Sequence, residues 1–379
     1  MTTLYFDNNA TTQLLPEVVE AMLPFLQSAF ANPSSVHQFG QSVRHRIECA
    51  REQVASLIGA NPKEIVFTSG GTESLNTAIR GALQLHPERK HIVTTAVEHL
   101  AVLRIMEQLE AEGYHVDYVG VDQNGCLDAS EWAGKLSGNT ALASLLHANN
   151  ETGVLFDVAS LAALAAERGI PVHVDACQSV GKLPIDASNW PVHFISMAAH
   201  KFHGPKGVGA LYMRRRTRLA PLILGGGQER NLRGGTENVA GIVGMGVAAK
   251  LACRDDVRLK VGALRDLLEE KICAAVSIAH VNARSAHRIY NTTNISFEGL
   301  GSEAILLLLS EAGVCASSGS ACSSGSLEPS HVLRAMAIPE TIAHGAVRFS
   351  LSRFNTREEI DRLTGLLPTL LSKLTALTR

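Results

Sequence analysis

Apolar positions along the chain fall into two kinds of pattern, and their order predicts an architecture before any single residue is considered. Short β-rich runs occur at 64–68 (Glu-Ile-Val-Phe-Thr), 91–95 (His-Ile-Val-Thr-Thr), 115–119 (His-Val-Asp-Tyr-Val) and 141–146 (Ala-Leu-Ala-Ser-Leu-Leu). Three more follow at 171–175 (Pro-Val-His-Val-Asp), 193–196 (His-Phe-Ile-Ser) and 209–213 (Gly-Ala-Leu-Tyr-Met). Between several of them the apolar spacing is helical, as at 161–168, where Gly169 supplies the expected stop. Strand–helix alternation of this kind predicts an α/β domain with a mostly parallel sheet flanked by helices. Beyond a helical stretch at 257–275 the pattern changes to strand 294–297, helix 302–311, strand 346–351 and a last helix from Arg357. That reads as a smaller α+β domain. The expected boundaries are 15–257 for the large domain, and 1–14 joined to 258–379 for the small one.

Length and composition narrow this picture. A chain of 379 residues exceeds the usual size of one hydrophobic core, and 46% apolar against 18% charged residues excludes a disordered chain. The net charge of −2 gives no global attraction to nucleic acid or to an acidic membrane surface. One basic cluster, Arg214-Arg215-Arg216 with Arg218, follows a predicted strand and is expected to be a solvated strand end. The N-terminal residues lack the basic lead and apolar segment of a signal peptide, and the weakly polar stretch at 239–249 is too short to span a bilayer. Seven cysteines without Cys-x-x-Cys spacing fit neither a disulfide framework nor a zinc site. A cytoplasmic protein is expected.

Three segments carry candidate chemistry. Gly70-Gly71-Thr72-Glu73 lies between a strand and a helix, where glycine backbone and helix-start amides suit a phosphate; an ordinary turn with Thr72 as helix cap accounts for it equally well. Asp175 ends a predicted strand and would point into the crevice where open α/β sheets bind ligands, although a helix cap competes as an explanation. Lys201, in His200-Lys201-Phe-His203-Gly-Pro-Lys206-Gly, follows an apolar strand directly, a placement suited to a Schiff-base amine, with an exposed turn lysine as the plain alternative. His200 and His203 lack a third metal ligand at usable spacing, so no metal is expected.

The run His-Lys-x-x-Gly-Pro-Lys-Gly downstream of His173-Val-Asp-Ala-Cys-Gln178 resembles the cysteine desulfurases of the NifS/IscS type, which belong to the aminotransferase-like (class-V, fold-type I) pyridoxal-phosphate enzymes. The resemblance spans nearly the whole chain. It includes Tyr5-Phe-Asp-Asn-Asn-Ala-Thr-Thr12, Asn32-Pro-Ser-Ser-Val-His37, Phe67-Thr-Ser-Gly-Gly-Thr-Glu73 and Asn149-Asn-Glu-Thr-Gly153. It continues through Gly225-Gly-Gly-Gln-Glu-Arg230, Thr236-Glu-Asn-Val239, Ser318-Gly-Ser-Ala-Cys322 and Pro329-Ser-His-Val-Leu333.

The resemblance implies pyridoxal 5′-phosphate held as a Schiff base on Lys201, with Asp175 on the pyridine nitrogen, Gln178 on the ring oxygen and His99 stacked on the ring as an acid–base group. Gly71, Thr72 and His200 would bind the phosphate, joined by Thr236 from the second subunit of a homodimer. Asn150 and Arg348 would hold the substrate carboxylate. Cys322, in a loop of small polar residues, would attack the sulfur of L-cysteine, release L-alanine and carry a persulfide to an acceptor protein for iron–sulfur cluster or thio-cofactor biosynthesis. Cys177 and Cys315 are read as small core residues. Three positions depart from the family pattern. Ala198 replaces a serine three residues before the lysine, Gly234 replaces another near Thr236, and the chain ends at Arg379 without the longer tail that docks a scaffold in some relatives. The competing readings are a selenocysteine lyase or aminotransferase on the same fold, a catalytically poor sulfur-relay scaffold, and a metal hydrolase built on the histidines.

Overall fold

The structure is a computed structural model that describes residues 3–84, 86–318 and 329–377. Cys322 therefore lies outside the described residues.

The chain opens with β1 (Leu4–Tyr5), α1 (Pro16–Gln27) and α2 (Gln38–Leu57), then β2 (Ile65–Thr68) and α3 (Gly71–Leu83). Next come β3 (His91–Thr95), α4 (Leu100–Ala111), β4 (His115–Val119), α5 (Ala129–Lys135), β5 (Thr140–Leu146) and α6 (Val158–Ala166). Then follow β6 (Val172–Asp175), β7 (Phe194–Ala198), β8 (Gly209–Met213) and α7 (Val239–Lys250). After these, α8 (Asp255–Ala275) leads to β9 (Ala279–Val281), β10 (Thr292–Phe297), α9 (Ser302–Glu311) and β11 (Val314–Cys315). Short helices α10 (His331–Ala335) and α11 (Glu340–Ala343) precede β12 (Ala346–Ser350) and the last helix, α12 (Arg357–Leu377).

Seven strands form one sheet in the order β2-β8-β7-β6-β5-β3-β4. Only the contacts of β8 with β2 and β7 are antiparallel, so the sheet is mostly parallel, as the alternation of patterns predicts. Its strands are apolar on both faces because helices cover both. Successive residues separate accordingly. Ile65, Phe67, Val93, Ala143 and Leu145 join the core under α2, α6 and α7, whereas Val66, Ile92 and Leu142 join the core under α3 and α4. The weakly polar stretch at 239–249 is α7, packed between α1 and α2 and apolar all round, which explains its composition without a membrane.

A second sheet, β12-β10-β9, is antiparallel, and its core joins Val261, Ile295, Phe297, Phe349 and Leu363 to Leu4 and Phe6 of the N-terminal arm. That arm is held by β1, which pairs in parallel with β11. The strand expected to end at Cys315 is β11, whereas the two-residue β1 and the three-residue β9 were not expected from the pattern, since so few residues carry no periodicity. Among the described residues no helix is long and apolar enough to cross a membrane. In the basic cluster Arg215, Arg216 and Arg218 are exposed, but Arg214 departs from the expected solvated strand end. Its guanidinium donates to the carbonyls of Val192, Ala187 and Trp190 and ties the end of β8 to the loop before β7.

Candidate active site

Strand register decides which side chains meet. Leu146 of β5 aligns with Asp175 of β6, and Asp175 aligns with Ser196 of β7, so the carboxyl ends of these strands open at one level. There a cavity of about 290 Å³ is lined by Gly71, Thr72, His99, Asn150, Asp175, Gln178, His200 and Lys201, together with Ala10, Cys177 and Ala198. Eight of the sequence-predicted site residues thus converge, drawn from segments between positions 71 and 201.

At the floor, Asp175 is 7% exposed, and its Oδ1 accepts the Cys177 N–H at 2.9 Å, an Asx turn that fixes the carboxylate direction. Lys201 follows β7 on a single helical turn and is largely buried, and its Nζ donates to the carbonyls of Asn9 at 2.6 Å and Ala10 at 3.0 Å. Burial pulls the amine below its ordinary range, the direction that favours its nucleophilic form. His200 accepts or donates at Thr11 Oγ1 (3.2 Å), and burial followed by the nearby Lys201, Lys206 and Lys182 pulls it to about 4. It is a neutral imidazole. His99 caps α4 by accepting the Ala101 N–H on Nδ1 at 3.1 Å, so its neutral ring carries the proton on Nε2. Burial likewise holds it below the ordinary histidine value.

The start of α3 forms the opposite wall. The first N–H groups of a helix have no intrahelical acceptor, and here they open on the cavity at Gly71 and Thr72. A Cβ at Gly71 would meet Cys177 Sγ at 2.8 Å and Ala198 Cβ at 3.5 Å. The backbone therefore approaches β6 and β7 as closely as only glycine allows, leaving a cradle of amides for an anion. Thr72 is not the helix cap of the plainer alternative, because α3 begins at Gly71 without a side-chain cap. Helix-start amides, a desolvated lysine and a strand-end carboxylate fit the phosphate, carbonyl carbon and ring nitrogen of pyridoxal phosphate, respectively. Ala198 presents a methyl group to this cradle in place of a hydroxyl.

Two predicted residues stand apart. Arg348 is 3% exposed in β12 and donates to Asp7 Oδ1 at 2.7 Å and to the Asn150 carbonyl at 3.0 Å. A chain carboxylate thus already faces this arginine, whereas the sequence favoured a substrate carboxylate as its anionic partner. Among the described residues its Nε has no hydrogen-bond partner. Thr236 is exposed and lines a different cavity of about 190 Å³ with Arg233, Gly235 and Glu237. Cys177 is a cavity wall instead of a plain core residue, and burial pushes its thiol well above the ordinary range, so it stays protonated.

Sequence reasoning missed Asn9, Glu98 and Lys182. Asn9 is 2% exposed and joins three parts of the fold. Its carbonyl accepts from Lys201 and Gln178, its Nδ2 donates to the Asn150 carbonyl and Thr292 Oγ1, and its N–H donates to Ser350 Oγ. Glu98 is wholly buried beside His99, and burial raises its carboxyl to about 8. Its Oε1 accepts from Thr95 Oγ1 and the Leu146 N–H. For Asn9 the signal was present, since it lies within the 5–12 segment singled out above; for Lys182 there was none.

A family model described as Aminotransferase class-V matches residues 4–363 of the chain. The chain is 52% identical over 377 residues to "Cysteine desulfurase NifS" of Azotobacter vinelandii, covering 99% of this chain and 94% of that protein. It is 50% identical over 384 residues to "Cysteine desulfurase" of Trichormus azollae, covering 100% and 95%. Among solved structures, "NIFS-LIKE PROTEIN" superposes with a TM-score of 0.92 at 37% identity, covering 98% of this chain and 100% of that one.

Proposed function

Because the chain belongs to the aminotransferase class-V family, we propose that it is a pyridoxal-phosphate-dependent cysteine desulfurase that takes sulfur from L-cysteine and leaves L-alanine. The observation that carries this reading is the desolvated Lys201 amine opening on the same cavity as the Asp175 carboxylate and the amides of Gly71 and Thr72. Gly71, Thr72 and His200 would hold the phosphate, Gln178 the ring oxygen, Asp175 the ring nitrogen, and Lys201 the carbonyl carbon. When bound, the cofactor supplies an electron sink for the pair left on the substrate α-carbon.

The remaining work falls to the chain. Asp175 would present its carboxylate to the ring nitrogen. Lys201, once free of the cofactor, has two carbonyl acceptors within 3.0 Å, an orientation from which its amine can move a proton at the substrate α-carbon. His99 offers an Nε2 proton on the cavity side. Arg348, which donates to the Asn150 carbonyl at the cavity edge, would hold the substrate carboxylate together with Asn150. Cys322 then attacks the substrate sulfur, its thiolate replacing the carbon–sulfur bond with a sulfur–sulfur bond, and the resulting persulfide passes to an acceptor protein.

The protein is further proposed to be a cytoplasmic homodimer. Thr236 lies away from the cavity of its own chain, which suits delivery to a partner's phosphate. Exposed apolar side chains at Phe30, Val36 and Leu224 offer a surface to cover. Iron–sulfur cluster or thio-cofactor assembly is the proposed destination of the sulfur. The decisive experiment pairs two variants in the presence of L-cysteine. Cys322→Ala should keep the visible absorbance of lysine-bound cofactor and release no sulfide, whereas Lys201→Ala should lose that absorbance. Undiminished sulfide from Cys322→Ala would remove the proposed nucleophile.

A further inference from the structure

Behind the cavity wall, Lys182 is 8% exposed, and among the described residues no carboxylate lies within ion-pair range of its amine. Its contacts are two neutral oxygens, Gln178 Oε1 at 3.0 Å and Asn9 Oδ1 at 3.4 Å. The titratable groups facing it are Lys201 from the end of β7 and Arg348 from β12, both of which disfavour a second cation, and the Cys177 thiol on its own segment. His200 and His203 also lie within its field. Burial and these cations bring the amine to about 7. An apolar side chain would fill the same space without desolvating an amine, so packing alone does not account for a lysine here.

Its two oxygen partners show what the amine does. A glutamine amide has a donor edge and an acceptor edge of nearly the same shape. A donor facing Oε1 on one side and the Asn9 carbonyl facing Nε2 at 3.0 Å on the other leave a single orientation for Gln178. The same amine reaches the Asn9 side chain, whose backbone carbonyl accepts from Lys201 at 2.6 Å. Asn291 Nδ2 donates to that Asn9 oxygen from the other side at 3.1 Å.

We propose that Lys182 is a positioning residue of the cofactor site: by donating to Gln178 Oε1 and Asn9 Oδ1 it fixes which edge of the Gln178 amide faces the cavity and holds the Asn9 carbonyl against the Lys201 amine. The inference rests on the reading of this cavity as the cofactor site. Its test uses the full-length chain loaded with pyridoxal phosphate and three readouts: cofactor retention on dilution, the pH midpoint of the visible band, and the melting temperature. Lys182→Met should weaken retention roughly tenfold, the scale set by one to two lost hydrogen bonds in a buried network. It should also displace the pH midpoint, while the melting temperature holds or rises. Lys182→Gln, which keeps a donor at shorter reach, should lose about two- to fivefold in retention. Retention and midpoint both unchanged in Lys182→Met would overturn the proposal, as would losses that merely track a falling melting temperature in both variants. If Lys182→Met does not fold, Lys182→Gln decides alone: weaker retention at an unchanged melting temperature sustains the proposal, and wild-type retention overturns it. A wild-type chain that takes up no pyridoxal phosphate would overturn the cofactor reading itself, and this inference with it.

Discussion

At the amino ends of β3 and β4, Asp117 meets His91 Nε2 at 3.2 Å, His115 Nε2 at 3.7 Å and Lys135 Nζ at 3.3 Å. At the carboxyl ends of β6 and β7, Lys201 and Lys182 lie deeper and meet only carbonyl and amide oxygens. Both clusters belong to one sheet, and both gather cations and carboxylates. At the amino ends the Asp117 carboxylate has the Lys135 ammonium and two imidazoles beside it and lies near solvent, since His115 is 74% exposed, so little free energy is stored there. At the carboxyl ends the amines are desolvated, the helix α3 amides point inward, and the nearest carboxylates serve other partners. The difference separates a cluster complete in itself from a site whose helix-start amides at Gly71 and Thr72 are left for an anionic ligand.

The sharpest way to break this contrast is to fill the cradle. Gly71→Ala would place a Cβ 2.8 Å from Cys177 Sγ and force β6 or α3 to give way. Overpacking of this kind costs about 1–3 kcal/mol, which corresponds to cofactor retention weakened by roughly five- to 150-fold. Gly71→Ala combined with Cys177→Ala removes the clashing sulfur and should recover most of the loss. A double variant as poor as the single one would show that the glycine serves some purpose other than close approach. Dissociation constants for pyridoxal phosphate across the four chains check this.

Glu98 tests the same contrast through pH. Burial raises its folded carboxyl to about 8 from an ordinary value near 4.5. Between those values the folded chain keeps a proton that the unfolded chain releases, so this group's contribution is complete below pH 4.5 and is lost as pH rises toward 8. The loss is up to ~1.4 kcal/mol for each pH unit crossed. Glu98→Gln, which stays neutral throughout, should flatten that part of the profile. Urea unfolding of both chains at pH 5.5 and pH 8 measures the difference; parallel profiles would mean that Glu98 is ionised in the folded protein.

How far the sequence carried this picture differs between fold and site. The main sheet was legible because its strands are apolar-rich runs separated by helical spacing, a signal of four or more residues each. β1 was not, since two residues joined to β11 across more than 300 positions are specified by that partner and by Leu4 and Val314 in a distant core. In the site, Lys201 and Asp175 could be singled out because a charge at the end of an apolar run is locally conspicuous. Lys182 follows Gly181 in an ordinary turn, and nothing local distinguishes it from a surface lysine. Its meaning comes from Asn9, contributed by an arm 173 positions away. Arg348 was conspicuous for the same reason as Lys201, but only the folded chain supplies Asp7 as its partner.

The smallest expected effect belongs to the opposite end of the sheet and tests the contrast from its other side. His115→Ala removes an exposed imidazole that stacks on His91 at 5.3 Å and contributes the longest contact to Asp117. His91 keeps its Thr140 hydroxyl contact at 2.9 Å, and Lys135 still meets the carboxylate. Surface substitutions that leave the remaining charges paired change stability by about 0.5 kcal/mol or less. Retention of pyridoxal phosphate and sulfide release should match wild type, because the five residues of β3 separate the cluster from the cavity end by roughly 17 Å. A substantial change in either would mean that the amino ends of the strands are coupled to the cavity, and charge pairing at one end of the sheet could no longer be treated apart from charge exposure at the other.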